Sequence, residues 1–182
     1  MRRAQKDGDT AMNTKEINAL LEKIAEGDNK AFEEFYVRTK NGVYAFLRSY
    51  FYNHADVEDA MQTVYLKVKR GISSYRPNTN GRAWLLTIAK NQALTDLKKM
   101  QREVPTDEIE ILADTSVSNG VVTDAMARVL TAEERRIIVL HVLWKYKHRE
   151  IAKMLNCPTC KVTSKCKRAL AKLKKYLKEC DA

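Results

Sequence analysis

Residues 56–71 read DVEDAMQTVYLKVKRG, and their apolar members Val57, Ala60, Met61, Val64, Tyr65 and Val68 fall at i, i+3, i+4, i+7, i+8 and i+11 before a closing glycine. Only an α-helix gathers that set on one side. The same period recurs along most of the chain, and no segment alternates convincingly with period two. This repetition confines the fold more than any other feature, and it predicts an all-α protein.

Four helices are predicted in the first hundred residues. Asn13 with Glu16 has capping-box spacing, and Ile17, Leu20, Leu21 and Ile24 follow up to Gly27. A second helix begins near Asn29 and carries Phe32, Phe35, Tyr36, Val43, Phe46, Leu47 and Tyr50. The 56–71 helix is third. After the loop ISSYRPNTNG comes NGRAWLLTIAKNQALTDLKK, with Leu85, Leu86, Ala89, Ala93 and Leu97 in one apolar arc. Its other side is not bland, because it holds Trp84 and Ile88 beside Asn91, Thr95, Lys98 and Lys99.

Periodicity fails over EVPTDEIEILADTSVSNG, which reads as an extended linker, and returns near Thr123. Thr131 with Glu134 forms a second capping-box pattern ahead of RRIIVLHVLW, a core helix by length and hydropathy. The remainder fits a helix-turn-helix. A first short helix runs from about Lys147 to Leu155, the turn is Asn156-Cys157-Pro158, and a second helix starts near Thr159. Val162, Cys166, Ala169, Leu173 and Leu177 make its inward stripe. The reading is therefore two helical domains, 13–102 and 123–179, the latter a helix-turn-helix, joined by an acidic linker at 103–122.

Charge follows the same division. The net charge is +10, with 18 Lys+Arg against 12 Asp+Glu in residues 1–102, none against 6 in 103–127, and 15 against 5 in 128–182. Two basic blocks flanking an acidic segment suit two domains that touch one polyanion. No apolar run approaches the roughly 18 residues of a membrane span. The charged, polar N-terminal stretch has no signal-peptide core, so a cytoplasmic protein without membrane insertion is expected.

Signals for chemistry are weak. Cys157-Pro-Thr-Cys160 has zinc-knuckle spacing, but there is no second pair, and Cys166, Cys180, His141 and His148 lie at spacings of no common site. Glycine-rich phosphate loops and nucleophile elbows are absent from the sequence. No catalytic residue, metal, cofactor or small-molecule substrate is expected.

Taken in order, these segments resemble the extracytoplasmic-function (ECF) class of the sigma-70 family of bacterial transcription initiation factors. DVEDAMQTVYLKV is similar to that family's polymerase-binding helix. The resemblance implies contacts from Asp56, Asp59, Gln62 and Lys69 to the clamp helices of the largest subunit of core RNA polymerase. SYRPNTNGRAWLLTIAKNQALTDLKK resembles the −10-element and promoter-melting segment. There the candidate DNA-binding residues are Tyr75, Arg76, Asn78, Asn80, Arg82, Trp84, Asn91, Lys98 and Lys99. Aromatic faces, amides and lysines are what an unstacked strand requires, although Trp84 could equally pack beneath a neighbouring helix. LTAEERRIIVLHVL and REIAKMLNCP resemble the domain that reads the −35 element.

For that element the candidates are Thr159, Lys161, Thr163, Ser164, Lys165, Lys167, Arg168 and Lys172. The first five sit at the base-reading end of the helix, and the last three lie against phosphates. Cys160-Lys161-Val162-Thr163-Ser164-Lys165 replaces the family's usual Gly-Thr-Val-Lys-Ser-Arg-type run, and Thr87 and Ile88 stand where primary sigma factors carry paired tryptophans. The resemblance implies core polymerase and promoter DNA as partners, an anti-sigma factor as a further one, and promoter-specific initiation without enzymatic activity. A helix-turn-helix regulator acting without polymerase is the alternative, and it would have no need of the 56–69 helix.

Overall fold

The computed structural model describes residues 13–103 and 121–180. Four helices come first: α1 (Thr14–Ala25), α2 (Asn29–Leu47), α3 (His54–Gly71) and, after a 3-10 turn at Ile72–Ser74, α4 (Gly81–Glu103). The second group is α5 (Val121–Val129), α6 (Ala132–Ile138) running into a π-helical turn (Val139–Leu143), α7 (His148–Leu155) and α8 (Thr159–Cys180). There is no strand among the described residues. The acidic linker lies almost wholly outside them.

Short polar side chains start the helices. Asn13, Asp28 and Asn53 accept hydrogen bonds from the exposed N–H groups of the first turns of α1, α2 and α3. One expectation is corrected here. Glu16 does not complete a capping box with Asn13; its carboxylate instead pairs with Arg38 of α2 at 2.6 Å, where a full charge gains more than a fraying N–H.

The four N-terminal helices enclose one core. Ile17, Leu21, Phe35, Val43, Leu47, Val57, Val64, Leu85, Leu86 and Ala89 are all essentially inaccessible to solvent. Each large apolar side chain among them contributes about 1.5–3 kcal/mol by burial. Thr39, a polar side chain buried with them, is satisfied: its Oγ1 lies 2.7 Å from both the Phe35 carbonyl and the Tyr65 hydroxyl. Burial also pushes the Tyr65 phenol above its usual range.

α4 is covered by α1, α2 and α3, which explains its unusual sequence. Trp84 and Ile88 are half-buried against the core, and the Trp84 ring lies 5.4 Å from that of Tyr75. The structure thus favours packing for much of the Trp84 indole. Asn91, Thr95, Lys98 and Lys99 remain exposed.

In the second group Thr131 and Glu134 form the expected reciprocal capping box. The core helix expected over RRIIVLHVLW does not continue as an α-helix. Its last turn widens, with the Trp144 N–H donating to Val139 O at 3.2 Å, and Lys145 takes φ +55°. The wider turn carries Trp144 inward to complete burial. The helix-turn-helix has the geometry its sequence implies. Asn156 sits at φ 52°, ψ 52°, and the Cys157 N–H closes the turn on Ala152 O at 3.0 Å.

The two groups pack on each other. Trp144 Nε1 donates to the Gly42 carbonyl of α2 at 3.2 Å. The Arg82 guanidinium lies 5.8 Å from the Trp144 ring centroid and 5.1 Å from that of Tyr146, and Arg136 lies 4.2 Å over Tyr50. Lys90 of α4 donates to Met154 O of α7 at 2.6 Å.

The start of α4 is fixed by Asn18 of α1, whose amide donates to Thr79 O at 2.6 Å and accepts the Gly81 N–H at 2.9 Å. A Cβ on Gly81 would fall 2.5 Å from Leu21 Cδ1 and 2.8 Å from Asn18 Oδ1. Gly81→Ala should therefore destabilise the protein by about 1–3 kcal/mol despite alanine's better helix propensity. Urea unfolding followed by circular dichroism would register this as a lower midpoint at unchanged slope, and an unchanged midpoint would mean that α1 yields freely at this contact.

Candidate polymerase and nucleic-acid interfaces

α3 buries Val57, Ala60, Val64, Tyr65 and Val68, and this leaves Asp59, Gln62, Leu66 and Lys69 on the outside at i, i+3, i+7 and i+10. Asp56, in the first turn, is half-buried and stands where the helix dipole favours an acid. Lys69 is exposed, with its ammonium 5.6 Å over the Phe32 ring. Leu66, 53% exposed in the middle of this stripe, belongs to the same surface. It was absent from the sequence-derived candidates, although an apolar residue on the polar side of an amphipathic helix was a visible signal.

The loop before α4 exposes Arg76, Asn78 and Asn80. Asn78 takes φ +62°, and Asn80 caps α4 by accepting the Ala83 N–H at 3.1 Å. The outer line of α4 continues through Asn91, Thr95 and Lys98, with Lys99 also exposed. Two sequence candidates do not lie on this surface. Tyr75 is 6% exposed beneath Trp84, and Arg82 is 8% exposed between the aromatic rings of the C-terminal group. The reason is aromatic packing: the loop folds Tyr75 into the core, and Trp144 and Tyr146 offer Arg82 two π-faces. Burial draws the Arg82 guanidinium below its ordinary pKa and pushes the Tyr146 phenol up to about 12.

α8 buries Val162, Cys166, Ala169 and Leu173, while Leu177 is partly exposed. Thr159, Cys160, Lys161, Ser164, Lys167, Arg168 and Lys172 are exposed. Two candidates are turned away from solvent. Lys165 is half-buried in an ion pair with Glu133, which also holds Lys161 at 3.1 Å. Thr163 is half-buried, bonding Thr159 O at 3.0 Å and His148 Nδ1 at 3.2 Å. The outward reading of Lys165 is therefore corrected by the carboxylate of α6. Lys172 is held in turn by Glu134 at 2.9 Å.

On α7, Arg149 and Lys153 flank an open depression that also includes Asn156, Pro158 and Thr159. Neither basic residue was among the sequence candidates, though both belong to the basic run. The first helix of a helix-turn-helix crosses the DNA backbone, and this is where such groups are required. The exposed Cys160 stands in the first turn of α8, where the side chain nearest a base edge would be. Cys160 opens the run that departs from the family's pattern, but it was not among the candidate DNA-binding residues.

Glu133 is held below the ordinary carboxylate value of 4.5, chiefly by the hydrogen bond from Lys165. For Glu134 burial alone acts upward, but the Thr131 N–H and Lys172 outweigh it and the net direction is also down. A depressed folded-state pKa contributes stability above the unfolded value, and that stability is lost as pH falls through the folded value. The thermal midpoint should therefore drop on acidification below about pH 5. Glu133→Gln with Glu134→Gln should lower the midpoint at neutral pH and flatten that acid limb. Scanning calorimetry across the acid range would measure both, and an unflattened limb in the double variant would place the acid sensitivity elsewhere.

Comparison with known proteins bears on both groups of helices. The sigma-70 region 2 family model matches residues 35–103, and the sigma-70 region 4 model matches residues 122–173. The ECF RNA polymerase sigma-E factor of Escherichia coli K12 is 29% identical over 169 residues, covering 82% of this chain and 88% of that protein. Its counterpart in Haemophilus influenzae is 29% identical over 172 residues, covering 83% and 89%. Among solved structures, the sigma factor RpoE in complex with the anti-sigma factor NepR from Bartonella quintana superposes with a TM-score of 0.62 at 24% identity, covering 82% of this chain and 98% of that one. CnrH in complex with the cytosolic domain of CnrY gives 0.59 at 21% identity, covering 90% and 98%. Two sigma-70 regions in the family's order, on the two helical groups that carry the exposed acidic-amide stripe and the basic helix-turn-helix, have one reading: the chain belongs to the sigma-70 family of RNA polymerase sigma factors, in its extracytoplasmic-function class.

Proposed function

We infer that this protein binds core RNA polymerase through α3 and directs it to promoters, with α4 and its preceding loop at the −10 element and α8 at the −35 element. It performs no catalytic step of its own and acts in the cytoplasm. The observation that carries this reading is the outer stripe of α3, where Asp59, Gln62, exposed Leu66 and Lys69 lie along one line. A regulator that only bound DNA would gain nothing from an uncovered leucine within a charged stripe. No helix among the described residues is long and apolar enough to cross a membrane.

The exposed groups divide by role. Arg76, Asn78, Asn80, Asn91, Lys98 and Lys99 can meet single-stranded bases and phosphates, with the exposed edge of Trp84 beside them. Thr159, Cys160 and Ser164 point from the first turns of α8, while Lys167, Arg168, Arg149 and Lys153 meet phosphates.

The packed arrangement is the resting one. Elements centred at −10 and −35 are about 25 base pairs apart, or roughly 85 Å at 3.4 Å per step. Here α4 and α7 are joined by a hydrogen bond from Lys90 to Met154. Both elements can be read together only after the domains separate. Two of the solved relatives are complexes with a second protein, one of them named an anti-sigma factor. An anti-sigma protein that binds this chain would hold the closed form.

Asp59→Lys with Leu66→Glu should lower affinity for core polymerase by about tenfold or more, roughly 1.4 kcal/mol, while helicity is unchanged. Asp56 is left in place because it supports the start of α3. Co-purification and fluorescence titration with core enzyme would test this, and undiminished binding would remove α3 as the principal contact. Separately, Arg82→Ala with Arg136→Ala removes three cation–π contacts across the interface, each worth about 0.5–2 kcal/mol. The radius of gyration from small-angle scattering should rise towards that of two tethered domains. An unchanged radius would mean that Trp144 and the apolar contacts hold the closed form without them.

A further inference from the structure

His141, His148 and Cys166 are spread over residues 141–166, yet one ligand-capable atom of each lies within 4.8 Å of the others. They come from three different elements: the π-helical turn, the first residue of α7 and the buried face of α8. The two imidazoles lie 4.6 Å apart between centroids. Cys166 is 2% exposed, and both histidines are half-buried.

The hydrogen bonds fix which ring nitrogens remain available. His141 Nδ1 lies 3.0 Å from Tyr146 O, and a carbonyl only accepts, so Nδ1 carries the proton. His148 Nδ1 lies 3.2 Å from Thr163 Oγ1, whose own proton goes to Thr159 O at 3.0 Å. Thr163 therefore accepts, and His148 Nδ1 also carries its proton. Both rings are left with an unprotonated Nε2. His148 Nε2 is buried and has no hydrogen-bond partner, which is costly for a group of that kind. Histidine ligands in metal centres characteristically donate the other ring N–H to a carbonyl or a similar oxygen, which orients the ring and raises its basicity. Both rings have that arrangement here.

We propose that His141, His148 and Cys166 form a binding site for a thiophilic divalent cation of the zinc class, which fastens the π-turn and α7 to the recognition helix α8. Two imidazoles and one thiolate suit borderline-soft zinc and discriminate against magnesium and calcium. Three protein ligands leave a fourth position for water or a small exogenous donor. The cation replaces the Cys166 thiol proton, which passes to solvent. The Cys157–Cys160 pair is not part of the site. Loading stiffens the unit that presents Ser164, Lys167 and Arg168 to DNA.

The test uses the full chain, freed of metal and titrated with Zn²⁺ against a chromogenic chelator, with Co²⁺ as an optical probe. One equivalent should bind, and the cobalt form should show a thiolate charge-transfer band of the strength given by a single sulfur. Cys157→Ser with Cys160→Ser replaces one half-buried and one exposed thiol by an isosteric hydroxyl and should leave both readouts intact. Cys166→Ala and His141→Gln should weaken binding by about 100-fold, and Thr163→Val, which removes the partner of His148 Nδ1, by about tenfold. Zinc should also raise the thermal midpoint of the wild-type chain and not that of Cys166→Ala. Absence of stoichiometric uptake by the wild-type chain would overturn the proposal. So would loss of the cobalt band in the Cys157/Cys160 double variant, a result that stands whether or not the Cys166 variant folds.

Discussion

The indole of Trp144 is the contact around which the two helical groups are arranged. It is completely buried, its N–H reaches the Gly42 carbonyl of α2, and its face lies under the guanidinium of Arg82. Gly42 is buried within α2. The Trp144 bond therefore reaches backbone inside the other domain and not a surface side chain. Arg82 is a charge held largely out of water. Two aromatic faces and Thr14 Oγ1 at 3.3 Å meet it, while its Nε and Nη2 have no hydrogen-bond partner. An interface with such partial compensation can be held closed and still be opened. Those are the properties that the opening proposed for promoter binding would require.

A second constraint operates within the C-terminal domain. The acids at the start of α6 face a helix whose charge is otherwise almost entirely positive. Glu133 gathers Lys161 and Lys165, and Glu134 closes its own capping box while holding Lys172. Burial of Val162, Cys166, Ala169 and Leu173 sets the rotation of α8 about its axis, and the ion pairs form on the surface that remains. They divide its lysines into those committed to the fold and those available to DNA, which net charge alone does not do. Cys160, Ser164, Lys167 and Arg168 remain on the outer line. A recognition surface with one arginine and several short polar groups should discriminate through few contacts.

Much of this was legible along the chain. Helical period, Asn and Asp caps, and the Asn156-Cys157-Pro158 turn depend on neighbours within a few residues, and local backbone physics decides them. The α-helices of the described residues follow those signals. Polar stripes were legible for the same reason, since burying Val57, Val64 and Val68 leaves Asp59, Gln62 and Lys69 outside. The π-turn at Val139–Leu143 was not, because RRIIVLHVLW has an unbroken helical pattern. The turn exists because Trp144 reaches a partner about a hundred residues away.

What the sequence determined by itself was the class of fold, the order of the two domains and the list of groups able to meet a polyanion. These follow from periodicity and from the kinds of side chain present. The tertiary structure decided which of those groups are free to act. Tyr75 and Arg82 went inward because aromatic partners from elsewhere in the chain were waiting for them. Lys165 was claimed by a carboxylate 32 residues away. Likewise His141, His148 and Cys166, at no recognisable spacing, became neighbours only when three elements closed on one another. Contacts of this kind join residues distant in sequence, and no local pattern encodes a distance that only packing creates.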